Sequence, residues 1–245
     1  MTVKTPTQES QNPRAKRFYK EVSLGSGEDG HAILLDGRAV KTPLKRALAI
    51  PAQRLAELVA EEWRAQQEFI EPQTMVLTGF CNAAIDHIAD NRAEIIGAIV
   101  GFAETDTLSY RDDPDAPLFA RQQAVWEPII RDLEAAHGVE WARISGVMPQ
   151  PQSPDVLALA QAVVADDDAF RLTAFSQIVE LTGSFALALA LREGRQTADA
   201  VWDAAFLEQL WQAEQWGEDA EATAQLQARR ERYDAAVMMW GAMVR

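Results

Sequence analysis

Residues 31–65 read HAILLDGRAVKTPLKRALAIPAQRLAELVAEEWRA, and the spacing of the apolar positions changes inside this stretch. Residues 31–35 and 38–42 are short extended runs joined by Asp36-Gly37. An Asp-Gly connection supplies the two positive-φ residues that a tight hairpin turn needs, so it predicts a β-hairpin. Pro43 closes the second run, and residues 47–50 predict a further strand. Pro51 then suits a first helical position. Leu55, Val59 and Trp63 follow every four residues, with Ala52 and Ala56 beside them, which is one apolar helix face. Glu71-Pro72 ends that helix. A hairpin feeding directly into helices, with no strand–helix–strand alternation and no glycine-rich nucleotide loop, predicts an α+β fold.

Upstream, residues 17–24 carry aromatic and β-branched residues and predict a strand ending in a turn at Gly25-Ser26-Gly27. Residues 1–15 are polar and read as a disordered tail, with neither a secretory signal nor a transit peptide. Downstream the pattern stays helical. Phe80, Ala84, Ile85 and Ile88 form one stripe, and Ile95, Ile96, Ile99, Val100 and Ala103 form another. Phe119, Gln122, Trp126, Ile129, Ile130 and Leu133 line a longer helix in which Pro128 predicts a kink or restart. Residues 146–154 read as a loop, Ser153-Pro154 as a helix start, and Asp168 as the cap of a core helix that Gly194 stops. Thr197 starts the next helix, and Gly217 ends it. In the last helix Leu226, Tyr233 and Trp240 recur every seven residues. The expected architecture is a β-rich unit with its first helix over residues 16–70, then a helical domain over 71–245. About seven helices follow the small β unit, and Trp63, Trp126 and Tyr233 are expected in the core.

Bulk composition narrows the function. The net charge of −14 makes nucleic acid and anionic membrane surfaces poor partners. The single cysteine, Cys81, permits no internal disulfide and fits a reducing compartment. It falls on an apolar stripe and reads as a buried thiol. His31, His87 and His137 lack ligand spacing, so no metal or cofactor is implied. The apolar run over residues 174–191 is long enough to span a bilayer. It contains Glu180, however, and a central acid costs ~2.5–3.5 kcal/mol on insertion, so a buried helix is expected. Asp86-His87 reads as a solvated helix face and Asp106 as a helix cap.

One constellation differs. In residues 207–217, LEQLWQAEQWG, Glu208, Gln212 and Trp216 stand at i, i+4 and i+8 on one stripe, which Val201 and Ala205 continue. A carboxylate among aromatic residues is either paired internally or offered to a partner. Arg192, Arg195, Arg229 and Arg230 are the candidate internal partners, and elementary physics favours that reading.

Taken in order, these blocks resemble the assembly chaperones of the F-type ATP synthase catalytic sector, in particular the factor that holds the α subunit. The resemblance runs through residues 16–20 and 35–43, Glu62-Trp63 with Gln66-Gln67, and Ile70, Pro72 and residues 75–78. It continues through Asn82, Asp86, residues 105–108 with Tyr110-Arg111, Gln123 and Trp126 to Leu207-Glu208, Gln212 and Trp216-Gly217. Val76 and Gln209 depart from the pattern. The resemblance implies a non-enzymatic, cofactor-free monomer that covers aggregation-prone surfaces of the unassembled α subunit, with Glu208, Gln212 and Trp216 as partner contacts. The family is mitochondrial in eukaryotes, and this chain is expected to be a bacterial cytoplasmic member. Two alternatives remain open: a hydrolase or transferase using Asp106 or Glu208, and a scaffolding subunit.

Overall fold

The computed structural model describes residues 15–145, 150–217 and 219–243. The tail reading lies almost wholly outside these residues, as does part of the loop read at 146–154.

The β unit is a sheet of β1 (Val22–Gly27), β2 (Gly30–Leu35), β3 (Arg38–Ala39) and β4 (Ala49–Ile50). All pairings are antiparallel; β1 pairs with β2, while β3 and β4 each pair with a different part of β2. The Asp36-Gly37 turn forms with φ of 47° and 77°, the conformation that this residue pair favours. The expected turn at residues 25–27 lies instead inside β1, and the chain reverses at Glu28-Asp29. Gly30 holds φ 121°, and a Cβ there would come within 2.5 Å of the Ile50 carbonyl oxygen, so glycine is what lets β2 approach the end of β4.

Ten α-helices follow among the described residues, more than the seven expected. They are α1 (Gln53–Ala65), α2 (Val76–Ala83), α3 (Arg92–Glu104), α4 (Pro117–His137) and α5 (Pro154–Val163), then α6 (Ala169–Thr182), α7 (Phe185–Arg192), α8 (Ala198–Ala205), α9 (Leu207–Trp216) and α10 (Ala220–Met243). Two short strands, β5 (Tyr110–Arg111) and β6 (Ile144–Ser145), pair in parallel.

The higher count has physical causes. The apolar run over residues 174–191 is two helices, because Gly183 takes φ 67° and Ser184 caps α7 by accepting from the Leu187 amide. The segment after Thr197 also breaks, at Phe206 with φ −106° and ψ 17°, separating α8 from α9. Conversely, Pro128 does not interrupt α4, which runs unbroken past it to Gly138. Asp168 caps α6 through the amides of Phe170 and Arg171, as its position predicts.

Carboxylates set between elements tie the two parts together. Glu62 of α1 accepts from the Leu77 and Thr78 amides and the Thr78 hydroxyl, all at 2.7 Å, capping α2 from outside. Asp86 stands in a π-helical turn (Ala84–Ile88) and is buried, not solvated as its neighbour His87 suggested. It accepts from Thr42 Oγ1 at 2.7 Å and the Leu44 amide at 3.0 Å, fastening the loop after β3 to the helices. One hydrophobic cluster extends from Tyr19 and Ile33 in the β unit to Met239 and Met243 in α10.

Candidate functional site

Helix α9 lies along α4, held by two polar contacts. Gln122, buried in α4, donates from Nε2 to Glu208 Oε1 at 2.7 Å, and its Oε1 accepts from the Asp112 amide at 2.8 Å. Farther along, the Arg121 guanidinium forks onto both carboxylate oxygens of Glu214. Beneath them Trp126 is fully buried and donates its indole N–H to the Ala204 carbonyl at 2.9 Å, pinning the end of α8. Arg111 lies over the Trp126 ring at 5.7 Å and donates to the Leu108 carbonyl, Gln123 Oε1 and Glu127. This support under α9 is therefore extensively hydrogen-bonded.

The three predicted partner residues share one α9 stripe and become more exposed along it. Glu208 is half-buried, Gln212 exposed, and Trp216 74 % exposed. Trp211 is half-buried and meets the Trp216 ring edge-on at 5.6 Å. The break at Phe206 detaches Val201 and Ala205 from the stripe. None of the four expected arginines pairs with Glu208. Arg192 holds Asp167, Arg195 holds Asp132 and Glu193, and Arg230 holds Asp199 and Asp234. Arg229 donates to the Leu181 carbonyl. Glu208 thus has a neutral amide on one oxygen and no cation among the described residues. Glu214, by contrast, is held below the usual carboxylate range, chiefly by its hydrogen bonds from Arg121.

The other predicted core residues sit elsewhere. Tyr233 is fully buried, with its hydroxyl donating to the Ala198 carbonyl at 2.9 Å. Trp63 is half-buried against Tyr19, and its indole N–H has no acceptor among the described residues.

Asp106, the alternative catalytic acid, is fully buried. Its carboxylate accepts from the Leu108 amide at 3.0 Å, the Ser184 hydroxyl at 2.7 Å and the Ala186 amide at 2.8 Å. It caps α7 and the short turn at residues 107–109 together, and no face is left for a substrate. Burial pushes its pKa up to about 6, against the lowering effect of those hydrogen bonds. Gln122 was visible only as an apolar-stripe position in the sequence. Its pairing with Glu208, 86 residues away, left no local signal.

The family model described as ATP12 chaperone protein matches residues 16–134. The crystal structure of Atp12 from Paracoccus denitrificans is similar at 36% identity, with 94% of this chain and 99% of that chain covered and a TM-score of 0.88. The Atu1473 protein of Agrobacterium tumefaciens is 38% identical over 94% of this chain and 86% of that one, with a TM-score of 0.89. Among curated proteins, the mitochondrial protein atp12 of Schizosaccharomyces pombe is 24% identical over 222 residues, covering 85% of this chain and 76% of that protein.

Proposed function

Because the chain belongs to the ATP12 chaperone family, a family of chaperones rather than enzymes, we propose that it is an assembly chaperone of the F-type ATP synthase. In this reading it binds the unassembled α subunit and prevents its aggregation until the β subunit takes its place. The observation that carries the proposal is the near end-to-end match to the Paracoccus chaperone at 36% identity. The α9 surface supports it. A rigidly mounted helix presents an exposed tryptophan and a half-buried carboxylate with no cation on it among the described residues, which suits a protein partner bearing an apolar surface and a basic group. Aromatic anchors beside a partly desolvated charge concentrate binding energy without any chemistry being performed.

The higher identity to the two bacterial chains than to the fungal one supports a bacterial member of the family, and a cytoplasmic setting is part of the proposal. No helix among the described residues is long and apolar enough to cross a membrane.

The test is to mix the purified chain with monomeric α subunit and follow both co-elution on size exclusion and light scattering of the α subunit on warming. A stoichiometric complex and suppressed scattering are expected. If the two elute separately and scattering is unchanged, the client assignment is wrong.

A further inference from the structure

The acidity of the chain is unevenly spread. All five lysines lie within the first 45 residues, and residues 16–50 hold seven Lys and Arg against four Asp and Glu. Residues 51–245 hold 14 against 32. The β unit is thus the cationic end of an anionic protein.

On that end lies a groove of 610 Å³, lined by Phe18, Leu35, Val40 and Trp63 together with Asp36, Arg38, Ala39 and Lys41. Phe18 is 73 % exposed, an unusual cost for an aromatic ring, and no element among the described residues covers it. Leu35 is buried, and Val40 and Trp63 are half-buried. Arg38 and Lys41 are both exposed, and neither has a counter-ion or acceptor among the described residues. The acid of the lining, Asp36, is paired with neither of them. Asp36 Oδ1 accepts from the Lys20 amide at 3.0 Å and the Glu21 amide at 2.8 Å, and these bonds hold its carboxyl below the usual range. The arginines of the helical part are mostly engaged: Arg111, Arg143, Arg192 and Arg195 each hold carboxylates.

We propose that this groove is a second docking site, distinct from α9, whose occupant is an extended acidic segment of a protein partner. One aromatic or large aliphatic side chain of that segment packs against Phe18 and Trp63, and flanking carboxylates meet Arg38 and Lys41. The charge argument selects this chemistry. A basic segment is repelled by the two unpaired cations, and a wholly apolar helix would bury them without partners. A nucleic acid meets the net charge of −14 of the chain as a whole. The proposal does not depend on the identity of the client or on Glu208.

The experiment uses the full chain and three fluorescein-labelled pentapeptides read by fluorescence anisotropy. The first has phenylalanine flanked on each side by glutamate and aspartate, the second replaces its phenylalanine by alanine, and the third replaces its acids by lysine. The acidic phenylalanine peptide is expected to bind about tenfold more tightly than either control, and to weaken at ~0.5 M salt. The R38E/K41E double variant should lose about tenfold in affinity for it and gain for the lysine peptide, with Tm within about 2 °C of the parent because both side chains are exposed. Phe18→Ser should also weaken binding, whereas Glu208→Lys should leave it unchanged. Equal binding of the three peptides, or binding indifferent to R38E/K41E, overturns the proposal. So does a self-associated chain in sedimentation velocity that R38E/K41E disperses, since the occupant would then be a second copy.

Discussion

Glu208 divides its carboxylate between an internal amide and open space, and that division sets what replacing it does. Losing the Gln122 hydrogen bond costs about 2 kcal/mol, the usual net value of a bond to a charged group, so Glu208→Lys is expected to fold with a lowered Tm. Its capture of the proposed client, the α subunit, should fall by about tenfold or more, because a cation would then stand where the proposed basic partner group docks. Circular dichroism melts beside a co-elution titration separate the two effects, and an unfolded variant would make Glu208 a structural residue. Asp106 has the opposite character. Its folded pKa of about 6 lies above the ordinary value of 3.8, so the stability it contributes is fully present below 3.8 and is lost as pH rises through 6. The difference between the wild type and Asp106→Asn should therefore shrink by about 2 kcal/mol between pH 4 and pH 7. Urea melts across that range check it, and a constant difference would show that the carboxyl is not perturbed.

Among elements, the junction between α6 and α7 turns on Gly183. Its φ of 67° disfavours any side chain, and a Cβ would stand 3.0 Å from Thr107 Oγ1, which itself donates to the Gly183 carbonyl at 2.8 Å. Gly183→Ala should cost about 1–2 kcal/mol in denaturant melts, and a neutral result would mean that the junction relaxes freely. The same junction shows why the sequence was only partly legible. Asp36-Gly37 and Asp168 announce their turn and cap, because local backbone chemistry decides them. The break at residue 183 lies inside an unbroken apolar run, and what secures it is Asp106 and Thr107, far away in sequence. Asp86 was misread for the same reason. Beside His87 it looks like a solvated face, but the π-helical turn places it against Thr42. The candidate site was more legible, since i, i+4, i+8 spacing puts Glu208, Gln212 and Trp216 on one stripe whatever packs beneath it. Its internal partner was not legible, because pairing between distant helices follows from the whole fold.

For the molecule as a whole, the proposed boundary at residue 70 separates secondary structure but not the core. Tyr19, Ile33 and Leu35 belong to the same cluster as Phe80, Phe175 and Met239, and Asp86 stitches the two parts. Residues 16–70 and 71–245 are therefore expected to unfold together, with far-ultraviolet circular dichroism and tryptophan fluorescence giving coincident urea transitions. Two separated transitions would show that the β unit is an independent domain. The confinement of every lysine to the first 45 residues has a practical consequence for mapping a complex. Among side chains, amine-reactive cross-linkers and labels can attach only within the first 45 residues, so a cross-link map made with them would have no site on α9 itself. A protease that cleaves after lysine would likewise leave residues 46–245 as a single fragment, folded or unfolded. Carboxylate-directed reagents are the ones suited to the helical end.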